Sequence, residues 1–312
     1  MQTRNVRRSR LVRSCRNNCR RFCIASVTAV GAIVQKLLAE GVVFPESPRW
    51  HRDCLWFSDV YDFALKAVDL AGRSRVITAV PGRPAGLGAL PDGRVLMATA
   101  TERVVYAVSD DGSMEVVADL SSRATGLLND MVVDAQGRGY VGDTGFNLAA
   151  GEPFVPGRTW LVAPEREPEV VAEDMHLPNG CAISPDGGTL YVAETFAHRI
   201  SRFVIDDAGH LAARQVHAEL PSRPDGLCLD AEDHLWVAMV QDAEFVRVDP
   251  AGTIVERLPS PEPFALACVL GGDSRDQLFL CSADTSLERL RAGDSRGCVA
   301  YLPVRVPGAG RP

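Results

Sequence analysis

Two carboxylates and two side-chain amides occupy matching places in this chain, each at the head of a short apolar stretch. They are Glu46 in Phe44-Pro45-Glu46-Ser47-Pro48, Asn129 in Leu128-Asn129-Asp130, Asn179 in Pro178-Asn179-Gly180 and Asp225 in Pro224-Asp225-Gly226. Taken singly, Pro-Asn-Gly and Pro-Asp-Gly are ordinary turn tripeptides. Their agreement in register across four repeats is what points to a site. Oxygen donors of mixed charge form the hard-ligand set that suits Ca²⁺, with Mg²⁺, Mn²⁺ or Zn²⁺ as alternatives. The column holds no histidine or cysteine, which argues against a dedicated zinc site. Packed into a narrow pore, two carboxylates and two amides would repel or go unsatisfied without a cation.

What must position them is a repeat. Six apolar strands, centred on Trp56, Leu96, Tyr140, Tyr191, Trp236 and Phe279, succeed one another at intervals of 40 to 51 residues. Turns such as Pro91-Asp92-Gly93, Asp134-Ala135-Gln136-Gly137 and Pro185-Asp186-Gly187 join each to a preceding apolar strand as a hairpin. Four strands in about 40–45 residues is the period of a propeller blade. The chain therefore reads as an all-β, six-bladed β-propeller over residues 32–308. An N-terminal strand (35–41) should complete the last blade beside a C-terminal strand (298–306), protecting an open edge. In the column of inner strands, Ala85 and Ala265 fill the two places without an oxygen ligand and leave room for a substrate.

A second column lies at the far ends of the next strands, on the same face, and includes Asp143 and Glu194. Either residue can touch substrate or tie blades together structurally. His198, a candidate substrate contact, and His176 fall in loops on that face, whereas His51, His210 and His234 fall in turns on the opposite one. The segment Gly142-Asp143-Thr144-Gly145-Phe146-Asn147 belongs to the blade with the widest spacing. It is the candidate lid or specificity wall, with Asn147 a candidate substrate contact.

Composition sets the outer limits. Hydrophobic residues make up 46% and charged residues 23%, the balance of a globular chain. A net charge of −7 speaks against nucleic acid or a membrane surface as the partner. Nine cysteines, mostly inside apolar runs, suit reduced thiols in a cytoplasm better than a disulfide framework. Residues 1–31 stand apart: eight arginines precede residue 22, and no acidic residue occurs before Glu40. We expect a basic, unstructured extension or an over-long start there, with an export or transit signal around Arg20-Arg21-Phe22 as the lesser alternative. Phe22–Val34 is too short to span a bilayer. Cys15, Cys19 and Cys23 lack a fourth ligand for a metal. Residues 309–312 are expected to form a short tail.

The motifs Phe44-Pro45-Glu46-Ser47-Pro48-Arg49-Trp50, Asn129-Asp130, Pro178-Asn179-Gly180 and Arg223-Pro224-Asp225-Gly226-Leu227 resemble those of the SMP-30/gluconolactonase/LRE (regucalcin-like) family. The resemblance runs over residues 35–308. It implies one divalent metal in the pore, held by Glu46, Asn179 and Asp225 with Asn129 beside it, and lactone hydrolysis. A metal-activated water would open the ring, with Asp225 as general base and Asn129 orienting substrate or water. The chain offers no Gly-x-Ser-x-Gly elbow for a covalent route. Sugar-lactone members of that family usually carry an arginine two residues before the asparagine, where this chain has Leu127. The resemblance therefore implies a small lactone or ester that need not be a sugar lactone. The competing classes are a non-catalytic calcium- or ligand-binding propeller and a strictosidine synthase-like enzyme; the acidic ring disfavours the latter.

Overall fold

Six antiparallel sheets of four strands follow one another along residues 34–312, the residues described by this computed structural model. The expectations for residues 1–31 lie outside the described residues. In each of the first five sheets the strands are neighbours in chain order, as in Pro45–His51, Cys54–Asp59, Ala64–Asp69 and Ser74–Ala79 of blade one. The first strands of successive blades contact one another around a closed circuit, so they are the inner strands of a six-bladed propeller.

The runs that read as continuously apolar do so because both of their faces are buried. Side chains alternate across a strand, and here the alternation sorts them between two neighbouring blades. Leu55 and Phe57 join the core shared with blade six, whereas Trp56 joins the core shared with blade two. Leu235, Val237 and Met239 likewise face blade four, while Trp236 and Ala238 face blade six. Six apolar clusters result, one at each blade interface. Aspartates cap the hairpin tips: Asp134 accepts from the backbone N–H of Gln136 and Arg138, and Asp230 from those of Glu232 and His234.

The sixth sheet is assembled from both ends of the described chain. Phe264–Gly271, Gln277–Asp284 and Arg296–Pro303 are followed outward by Lys36–Val42, which pairs antiparallel with Arg296–Pro303. The expected closure is therefore present, shifted by one residue at the N-terminal strand. The C-terminal strand is shorter than expected and ends at Pro303. Beyond it the chain crosses the face opposite the cavity described below, with bridges from Gly308 to Asp230 and from Arg311 to Ile183. Among the described residues, helix is confined to Leu287–Arg291 and a 3₁₀ turn at Thr195–Ala197. No described helix is long and apolar enough to cross a membrane.

Candidate active site

Each inner strand carries its column residue in second position: Glu46, Ala85, Asn129, Asn179, Asp225 and Ala265. In all six the pairing register skips at that point, for example between Glu46 and Arg49 and between Pro178 and Cys181. A bulge bends the strand and re-aims the side chain, here toward the axis. Glycine follows where inner strands press together. A Cβ on Gly180 would lie 2.5 Å from the Asp225 carbonyl oxygen, and one on Gly226 would lie 2.4 Å from Ala267 Cβ.

Glu46, Asn129, Asn179 and Asp225 all line a single cavity of about 810 Å³ on the axis. Its floor is the ring of oxygen donors. Asn129 Nδ2 donates to the Pro178 carbonyl at 3.0 Å, which leaves the Asn129 Oδ1 to the cavity. Asn179 Nδ2 donates to Thr195 Oγ1 at 3.2 Å, and that hydroxyl donates to the Pro224 carbonyl at 2.8 Å. Thr195 thereby fixes the Asn179 amide on the cavity floor beside Asp225. The anchor on Asn129 makes it an acceptor toward the pore, as a ligand role requires.

Burial pushes the Glu46 carboxyl well above its usual range, and the charges of Asp225 and Asp130 push it further. Burial does the same to Asp225, again with Asp130, while Asn179 pulls the other way. Among the described residues neither carboxylate has an ion-pair partner. The nearby guanidinium of Arg49 is committed to Asp130 at 2.9 Å and to the carbonyls of Leu87, Pro48 and Met131. Two carboxylates without ion-pair partners, Glu46 half-buried and Asp225 buried, together with two side-chain amides fit a hard divalent cation. Among the described residues no three His, Cys, Asp or Glu side chains cluster around one point, so the amides are needed to complete the set.

Several sequence expectations need correction. Asp143 is fully buried and accepts from the backbone N–H of Thr125, Gly126 and Gly145; it clamps the loop entering its own blade. Glu194, also buried, accepts from His176 N, Arg199, Arg214 and Ser201. Neither lines the cavity. Asp59 repeats the device on the N–H groups of Val43 and Phe44, so this column ties loops to blades. Asn147 spends its side chain within its own loop, accepting from Ala150 N, and His198 closes the 3₁₀ turn in a left-handed conformation; both lie off the cavity wall. Ala265 is sealed in the core between blades five and six, so of the two small column residues only Ala85 opens to the cavity.

One feature was missed and another extends an expectation. The missed one is the Arg49–Asp130 pair; of the two, only Asp130 is a lone charge in an apolar strand, because Arg49 shares Pro45–His51 with Glu46. The other is a strap over the entrance, of which the expected lid loop is one half and a helix the unforeseen half. The loop between Asp143 and Gly157 contributes Leu148 and Ala149, and the helix Leu287–Arg291 on the opposite blade contributes Leu287, Leu290 and Arg291. Arg291 Nη2 donates to the Leu148 carbonyl at 3.3 Å, joining the two.

Residues 44–284 match the family described as SMP-30/Gluconolactonase/LRE-like region. The chain belongs to this family. Among curated proteins of SMP-30/gluconolactonase type, it is 26% identical to a 6-deoxy-6-sulfogluconolactonase from Pseudomonas putida, over 86% of this chain and 94% of that one. It is also 26% identical to a pentonolactonase from Haloferax volcanii, over 84% and 91%. A calcium-binding regucalcin from Agrobacterium tumefaciens superimposes with a TM-score of 0.76 at 22% identity, covering 88% of this chain and 95% of that one. A gluconolactonase from Xanthomonas campestris gives 0.72 at 22% identity, covering 89% and 91%. These SMP-30-like neighbours share the propeller.

Proposed function

We propose that the protein hydrolyses the ester bond of a small lactone, with a divalent cation, Ca²⁺ by preference, held by Glu46, Asn129, Asn179 and Asp225. The observation that carries this reading is the pair of carboxylates, half-buried Glu46 and buried Asp225, left without an ion-pair partner among the described residues on the floor of a cavity sized for a small molecule. The lactonase names of the relatives support the reaction class. When bound, such an ion supplies polarisation of the ester carbonyl and a lowered pKa for water.

The chain's own residues supply the rest. Asp225, on the cavity floor, takes the proton of the attacking water. Asn129 and Asn179, held by Pro178 and Thr195, keep their oxygens fixed and cost little reorganisation on binding. The strap excludes bulk water from above. Leu127, Leu128 and Leu177 give the cavity an apolar wall, so the ring of the substrate need not be polyhydroxylated.

The test is an assay of metal-stripped protein refilled with Ca²⁺, Mn²⁺, Mg²⁺ or Zn²⁺ against a panel of lactones and esters. Turnover should require metal, and Asp225→Ala should lower kcat by about a thousandfold. Hydrolysis that survives both changes overturns the mechanism. Tight metal binding with no turnover of any ester would instead favour a calcium-binding module.

A further inference from the structure

One tier above the oxygen ring, two residues before each column position, the cavity is lined by Phe44, Arg83, Leu127, Leu177 and Arg223. The two arginines therefore occupy equivalent places in blades two and five. Elsewhere in the propeller, partly buried arginines meet carboxylates: Arg138 meets Asp134, Arg199 meets Glu194 and Arg247 meets Asp230. Arg83 meets none among the described residues. Its guanidinium lies over the Tyr61 ring, 4.6 Å from the centroid, and no side-chain acceptor takes its N–H groups. The Arg83 carbonyl accepts from Ala100 N at 2.7 Å, which fixes the backbone beneath it. Arg223 is partly spent, stacked on Phe196 and donating to Gln241 at 3.2 Å. Among the described residues, the acidic ones lining the cavity are Glu46 and Asp225 on the floor. The wall above them carries uncompensated positive charge.

We infer that Arg83 is an oxyanion-binding residue of the substrate cavity, and that the natural substrate carries a carboxylate, sulfonate or phosphate group besides its lactone. A guanidinium held over an aromatic ring, with its fork of N–H groups unused by any side chain among the described residues, is pre-organised for such a group. Leu127 and Leu177 on the neighbouring walls would then face the uncharged part of the ring.

The inference rests on the lactonase reading only for its kinetic assay. Metal-loaded protein is given matched δ-lactones bearing a hydroxymethyl, carboxylate, sulfomethyl or phosphomethyl substituent. At least one anionic lactone should exceed the neutral one in kcat/KM, and Arg83→Gln should reduce that preference about tenfold or more. Which anion leads identifies the substituent. Independently of turnover, calorimetry compares an open-chain dicarboxylate with its monocarboxylate. Wild type should prefer the dianion, Arg83→Gln should lose that preference, and Arg83→Lys should recover part of it. A neutral lactone preferred by wild type, or a dianion preference unchanged in a folded Arg83→Gln protein, overturns the inference. Failure of every lactone while the dianion preference follows Arg83 overturns the lactonase reading alone.

Discussion

Glu46 and Asp225 are ionisable groups placed where ionisation is costly, and this has a consequence for stability. A carboxyl whose pKa is raised by folding contributes its stability below its unfolded value and loses it as pH climbs through the folded one. Metal-free protein should therefore lose thermal stability as pH rises from about 5 toward 8, relative to a Glu46→Gln/Asp225→Asn double variant. The comparison is needed because burial also lowers the pKa of His51 and His217, which tilts both proteins the opposite way. Adding Ca²⁺ at pH 8 should raise the wild-type Tm and leave the double variant unmoved; equal pH slopes would contradict the buried-charge account. Glu194 behaves in the reverse sense. Burial works against its charge, but hydrogen bonds from Arg199, Ser201, His176 N and Arg214 draw its carboxyl down to about 2. Its stabilisation is present above the ordinary carboxylate range and fades only as pH falls toward 2. Glu194→Gln should cost about 2 kcal/mol in urea unfolding, the arginines being partly solvated. Metal affinity should not change. A lost substrate affinity without lost stability would restore Glu194 to the site.

At the scale of elements, the inner-strand bulges and the strap divide the work of building the cavity. Gly180 sits where a Cβ would press on the Asp225 carbonyl oxygen. Gly180→Ala should thus weaken Ca²⁺ binding, read by calorimetry, more than it lowers Tm, because the displaced atom belongs to a ring residue while the blade cores stay packed. Arg291→Ala should loosen the strap and speed proteolytic cleavage between residues 144 and 156 in the metal-loaded protein; an unchanged cleavage rate would deny the contact any closing role. These elements also show how far the residues alone could be read. The inner and second strands were legible because a two-faced core writes uninterrupted apolar runs such as Leu235–Met239 at a regular interval. The ring was legible because its members recur in one register. Asp143 and Glu194 shared that regularity, yet a period reports position along a strand, not which neighbour satisfies the charge. The loop half of the strap showed as the widest blade spacing, but its contact with the helix left no trace, because Leu148 and Arg291 meet through a backbone carbonyl that any residue could supply.

For the whole molecule, the sixth blade is the seam. Without residues 36–42, Arg296–Pro303 becomes an exposed edge and the core between blades six and one loses Leu38, Ala39 and Val42. A chain starting at residue 43 should unfold less cooperatively and associate through that edge, as read by calorimetry and size exclusion. A peptide spanning residues 34–43 should reverse both effects, and a cooperative monomer without it would show the seam to be dispensable. That seam also imposes an order of events on the ribosome. Lys36–Val42 is the first of the described strands to emerge, and Arg296–Pro303, its sheet partner, is the last. At cellular rates of synthesis the early strand waits on the order of tens of seconds for its mate. During that time five blades can pack while a strip of aliphatic side chains stays in solvent. The yield of active protein should then depend on translation speed and chaperone supply, and any nascent chain stalled before residue 296 is left a propeller without its latch.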